Sequence, residues 1–194
     1  MPDVSATSPT APETTPKPDV VDDFVTRSHR TASGLRYTST TGRMVLRKEE
    51  DAEGKTDGFN AKAEIFLVSY TADTEEAPVA GQAAKSRAKK PAGPPAANRR
   101  PVVFAFNGGP GSASLWLHMG LLGPRIVDSG DVGSMAAAPY GVIDNPESLL
   151  EHADVVMIDP VNTGFSRVVS GGTIDEFHAF ESDRDLVAEV IRLW

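Results

Sequence analysis

The chain contains no cysteine, and that absence removes disulfides, a thiolate nucleophile and thiolate metal sites from consideration. It is compatible with a reducing compartment. No apolar run approaches the roughly 20 residues that a bilayer-spanning helix needs. The first residues, Met1 to Asp23, have neither the basic start nor the apolar core of a secretion signal. The sequence therefore predicts a soluble, cytoplasmic protein with no membrane partner, export by another route being left open. Excess positive charge is missing too: 19 Lys and Arg against 27 Asp and Glu leave a net charge of -8, which speaks against a nucleic-acid partner. Four histidines, His29, His118, His152 and His178, show no metal-like or triad-like spacing, and no serine has glycine two residues away on both sides. Neither a metal site nor a complete nucleophile elbow is legible, and nothing calls for a cofactor.

What is present organises into one domain. At 194 residues and 40% hydrophobic the chain is long enough to bury a core. Residues 1–23, rich in Pro, Thr, Ser, Ala and Asp, read as a disordered tail. The remainder, 24–194, is interrupted at 73–100 by an Ala/Pro/Lys-rich insertion. Its Lys85, Arg87, Lys89, Lys90, Arg99 and Arg100 fit a solvated flexible loop better than a polyanion site. Thr41-Gly42 predicts a hairpin turn between strands at Leu35 to Ser39 and Arg43 to Lys48, and Ala61 to Tyr70 a buried strand. Pro101 to Phe106, apolar throughout, predicts a central parallel strand buried on both faces. A helix follows from Leu115 to Leu122, stopped by Gly123-Pro124, and Asp154 to Ile158 is another buried strand.

The last element, Phe177 to Trp194, has helical spacing and no stop signal, and its Leu186, Val190, Ile191 and Trp194 face is expected to lie uncovered. In a strand-helix-strand unit such a helix returns the chain to another parallel strand. The expectation is a sequence cut short before that strand.

Between strand and helix stands Asn107-Gly108-Gly109-Pro110-Gly111. Glycines there free the backbone to take positive φ and to turn N–H groups outward, where they hold negative charge. Such a loop cradles a phosphate or forms an oxyanion hole. The phosphate reading needs a following Lys-Ser/Thr pair or a G-x-G-x-x-G spacing, and neither is present. The oxyanion reading fits α/β-hydrolases, which carry one donor on a glycine-rich loop after a central strand. Ser112 and Ser114 open the helix as N-cap candidates rather than nucleophiles. His118 reads as a helix-surface or satisfied core histidine.

With Ser112, Ser114 and Leu115, the run from Asn107 resembles the serine carboxypeptidase family. A second block agrees: Asn145-Pro146, Ser148-Leu149, the apolar run to Ile158, then Pro160-Val161-Asn162-Thr163-Gly164-Phe165-Ser166. Gly123-Pro124 is a further landmark. The resemblance runs from about Gly42 to Trp194, and Asn107 separates it from proline aminopeptidases, which have His there. It implies an α/β-hydrolase fold truncated before the nucleophile strand. No catalytic residue stands in this chain, and the triad is expected beyond Trp194. The oxyanion hole would use the Gly109 amide with Gly108 beside it. Asn107 would bind the terminal carboxylate of a peptide substrate with a free C-terminus, or else serve only as a turn residue of its own loop. In complete form the protein would release C-terminal residues through an acyl-enzyme. Acyltransferase or esterase activity on the same fold, and a non-catalytic truncated remnant, are the alternatives. Vacuolar members have a glutamate that shares the substrate carboxylate; counted without gaps from Asn107, that position is Leu121. Asp159 stands where the commoner pattern has Gln, with no role legible, and oligomeric state is not legible either.

Overall fold

The structure, a computed structural model, describes residues 20–52, 55–73, 100–108, 111–130, 133, 137–177 and 179–194. Most of the expected tail and insertion, together with Gly109, Pro110 and His178, lie outside the described residues. In chain order the elements are β1 (Asp23–Arg30), β2 (Arg36–Ala52), β3 (Lys55–Ala72), β4 (Val102–Ala105), α1 (Leu115–Leu117), β5 (Arg125–Val127), β6 (Val142–Asp144), β7 (Asp154–Ile158), β8 (Arg167–Val168) and α2 (Phe180–Leu193). A π-helical turn, His118–Leu122, continues α1, and short 3-10 turns stand at Leu149–Glu151 and Ile174–Phe177. The protein is mixed α/β with few helices and a mostly antiparallel main sheet in the order β1-β2-β3-β7-β4, β8 pairing with β3; β5 and β6 form a separate ribbon. Among the named strands of the described residues, β4 and β7 are the pair that runs parallel.

Alternation along β7 builds two cores. Val156 and Ile158 face one side with Ile65, Leu67 and Met44, while Val155 and Met157 face the other with Val68 and Ala105. α2 covers the first side through Leu186, Val187 and Val190. The α1 segment covers the second through Leu117 and Leu122. Each fully buried aliphatic side chain contributes about 1.5–3 kcal/mol, so β7, fully buried from Val155 to Ile158, is the anchor of both layers. Helices on opposite faces of a parallel pair are the arrangement of open α/β sheets.

Three expectations are corrected here. Thr41-Gly42 is not a turn: β2 runs unbroken through it, and Gly42 pairs with Phe24 of β1. A Cβ on Gly42 would overlap the Asp23 carbonyl oxygen and stand 2.7 Å from the Phe24 Cα, so the glycine serves close strand approach. The hairpin turn lies instead between β1 and β2, where Gly34 has φ +97°. Pro101 to Phe106 yields a parallel strand, but β4 is the end strand of the sheet among the described residues and only half-buried. Finally, α2 begins at Phe180, and its Leu186 and Val190 are buried rather than uncovered. Ile191 (39% exposed) and Trp194 (41%) do remain open, with Trp194 set edge-on to Phe104 of β4 at 5.4 Å.

β1 is exposed along its whole length and, among the described residues, pairs with β2 alone, Gly42 being its point of tightest approach. Gly42→Ala is expected to cost about 1–3 kcal/mol through overpacking. Amide exchange across Asp23–Arg30 should speed up while β7 keeps its protection. Unchanged protection in β1 would contradict the account.

Candidate functional site

Parallel strands β4 and β7 end side by side, and the chain leaving each of them carries one of the two motif segments. β4 runs into Phe106, half-buried Asn107 and exposed Gly108; β7 runs into Asp159 and the turn 160–166. Buried polar residues join the segments. Ser114, 2% exposed, accepts the Asn107 N–H at its Oγ (3.3 Å) and donates that hydroxyl to the Ile158 carbonyl. Asp159, 7% exposed, accepts the Ser114 N–H at Oδ1 (2.8 Å) and the Phe165 N–H at Oδ2 (3.3 Å). Ser166, fully buried, donates its hydroxyl to the Asp159 carbonyl (2.7 Å) and accepts the Phe66 N–H of β3 (2.8 Å).

Both serines are therefore fasteners between strand ends. Ser114 does occupy the N-cap position of α1, but its side chain makes no cap hydrogen bond, being committed across the sheet. Gly164, at φ +48°, is required where it stands, because a Cβ there would overlap the Asp159 carboxylate and come within 3.1 Å of the Ala113 Cβ. Gly111 carries the positive φ of the glycine loop, +100°, with open space where a Cβ would be. Gly108 does not take positive φ, and its surroundings are equally open. The proposed donor Gly109 lies outside the described residues. Asn107 makes no side-chain hydrogen bond to any described residue, while its backbone N–H is held by Ser114.

The Gly123-Pro124 and Asn145-Pro146 landmarks also meet. Asn145 Nδ2 donates to the carbonyls of Leu121 (2.7 Å) and Gly123 (2.8 Å), which ties the end of the π turn to the strand ribbon. Leu121 itself is 59% exposed.

Behind the loop, a pocket of about 120 Å³ between the α1 segment and the sheet is lined by Phe66, Leu115, His118, Met157 and Asp159, among others. His118, one of its lining residues, has Nε2 2.6 Å from the Tyr70 hydroxyl. Burial, with a smaller contribution from Tyr37, pushes the Tyr70 phenol up to about 12. Burial lowers the His118 imidazole below its usual value, opposed in part by the Asp159 carboxylate. A neutral imidazole and a protonated phenol share this one hydrogen bond. His118 is thus a satisfied, half-buried histidine. His29 stacks on Tyr37 and bonds Ser39 at 2.8 Å, and His152 is exposed.

Sequence reasoning missed Tyr70 and left Asp159 without a role. The available signal for Asp159 was its position, a charge directly after an unbroken apolar strand and directly before Pro160. Among the described residues there is no group of His, Asp and Glu able to hold a metal, and no helix long and apolar enough to cross a membrane. Compared with protein-family models, with curated proteins and with solved structures, the chain gives no match.

Tyr70 and His118 give the protein opposite pH limits. A phenol raised from 10.0 to about 12 in the folded state stabilises fully below pH 10, and the contribution is lost between pH 10 and about 12, at no more than about 1.4 kcal/mol per pH unit. An imidazole lowered on folding contributes fully above its unfolded value near 6.5 and loses that contribution as pH falls below it. Tyr70→Phe should flatten the alkaline limb of stability against pH, and His118→Gln the acid limb. A wild-type phenolate absorbance titrating wholly near pH 10 would contradict the first.

Proposed function

We propose that this chain is the amino-terminal part of a serine carboxypeptidase-like hydrolase of the α/β-hydrolase fold, releasing C-terminal residues from peptides through an acyl-enzyme. The observation that carries the reading is the meeting of the two motif segments, 107–114 and 159–166, in one buried hydrogen-bonded cluster at the carboxyl ends of adjacent parallel strands. In open α/β sheets ligands bind beyond the carboxyl ends of strands, where the direction of winding reverses.

Topology supports such a reversal. The connection from β4 to β7 packs on one face through α1, and α2, leaving β7, packs on the other. Right-handed crossovers on opposite faces move the chain in opposite directions along the sheet. A parallel strand following α2 would therefore return past β7 to the open edge of β4, placing its carboxyl end beside the glycine loop. That strand would carry the nucleophile, and the loop amides would face the developing oxyanion. Asn107 would take the substrate carboxylate through its side-chain amide.

Exposure of Leu121 favours a second reading. A leucine there offers no polar partner for a carboxylate, so esterase or acyltransferase chemistry on the same fold competes with carboxypeptidase specificity.

The test uses the protein expressed from its complete reading frame. Asn107→Ala should lower kcat/KM for peptides with a free C-terminus by more than for amidated or ester substrates, by about 10-fold or more given the loss of a hydrogen bond to a charged group. Equal losses on both classes would reduce Asn107 to a loop residue and favour the second reading. The 194-residue chain alone is expected to give no serine-dependent burst with an activated ester, since it carries no triad.

A further inference from the structure

A carboxylate taken out of water needs compensation, and Asp159 finds it without a basic side chain. No ion pair to Asp159 is present among the described residues. Its two side-chain oxygens are instead met by backbone N–H groups from two different loops, Ser114 after the glycine loop and Phe165 in the turn that follows Pro160. Hydrogen bonds to an ionised acceptor are roughly twice as strong as neutral ones. This carboxylate is therefore stable in its place only while both loops hold these positions.

Surrounding geometry leaves it no alternative place. Its own carbonyl is held by Ser166 Oγ and its own N–H by the Phe66 carbonyl at 3.0 Å, so the backbone cannot swing away. Gly164 presents bare backbone to Oδ2, and the Ala113 side chain closes the same contact from the glycine-loop side. Ser114 is the point where the loop re-enters regular structure, and its carbonyl receives the His118 N–H (2.8 Å) that starts the helical turn.

We infer that Asp159 is the positioning residue of the glycine loop: its carboxylate, bridging the Ser114 and Phe165 amides, fixes the chain at Ser114, where the loop re-enters regular structure. The inference rests on the proposed function for its catalytic consequence, but its structural half is independent of it. Its effect on a reaction would act through the Ser114 end of the loop, as positioning rather than as chemistry. Misplacement of about 1 Å at a distance from the chemistry costs on the order of 100-fold in rate.

The experiment is Asp159→Asn in the protein expressed from its complete reading frame. The substitution preserves volume but leaves one of the two N–H groups facing an NH2 donor. Two readouts are taken: amide exchange at Ser114 and Phe165, and steady-state kinetics on a peptide and an activated ester. Exchange at both amides should rise several-fold while β7 stays protected. Turnover should fall about 10- to 100-fold on both substrates with KM little changed, the pattern of a lost transition-state interaction. Unchanged exchange, or faster exchange with unaltered kcat, overturns the inference. If the wild-type protein hydrolyses neither substrate, the proposed function fails, and exchange alone then decides whether Asp159 holds the loop. Should Asp159→Asn not fold, Gly164→Ala displaces the carboxylate from outside and is expected to give the same exchange pattern; wild-type exchange there overturns the inference as well.

Discussion

Where two parallel strands end together, their last carbonyls and the first N–H groups of the following loops crowd into a space that water does not reach. Each group must find a partner within the protein. Here Ser114, Asp159 and Ser166 supply them, and among the described residues no buried side-chain polar atom is left without one. This requirement explains otherwise unrelated features: two serines that are wholly buried, a glycine that tolerates no Cβ, and a carboxylate set into an apolar sheet. Asn107 and Ser114 on one side and the turn at 160–166 on the other are joined through these hydrogen bonds.

That unit is mounted on β7, whose alternating side chains hold α2 on one face and the α1 segment on the other. Phe106 at the end of β4 and Ile191, Leu193 and Trp194 along the end of α2 are exposed, and Trp194 stands edge-on to Phe104 of β4. On the other side the sheet thins into the long β1-β2-β3 meander, where Gly42 and the Asp22 contact to the Val45 N–H bring β1 close.

Much of this was legible in the residues. The apolar run 154–158 announced a buried strand, the spacing of Leu186, Val187 and Val190 announced α2, and the glycine loop declared itself by its place between strand and helix. Gly42 was misread because a glycine beside threonine carries the same local signature whether it turns a chain or admits a neighbouring strand; only the partner, Phe24, distinguishes them. That β4 ends the sheet among the described residues was hidden for a similar reason, since an apolar run records burial without saying which strands supply it. Asp159 was opaque because its partners are backbone amides 45 residues back and 6 residues on, and backbone amides leave no mark in a sequence. Ser114 and Ser166 were visible as motif letters, but their roles as fasteners between strands depend on long-range pairing.

The central claim is that the chain leaving β4 forms an oxyanion loop against a strand docked on the open edge of β4. The most direct measurement is a crystal structure of the protein from its complete reading frame, inactivated with a fluorophosphonate. The account requires the phosphonylated serine at the carboxyl end of a strand paired parallel to Val102–Ala105, with the phosphoryl oxygen about 3 Å from a glycine-loop N–H. An adduct elsewhere on the molecule, or a β4 edge paired with a different element, would contradict it.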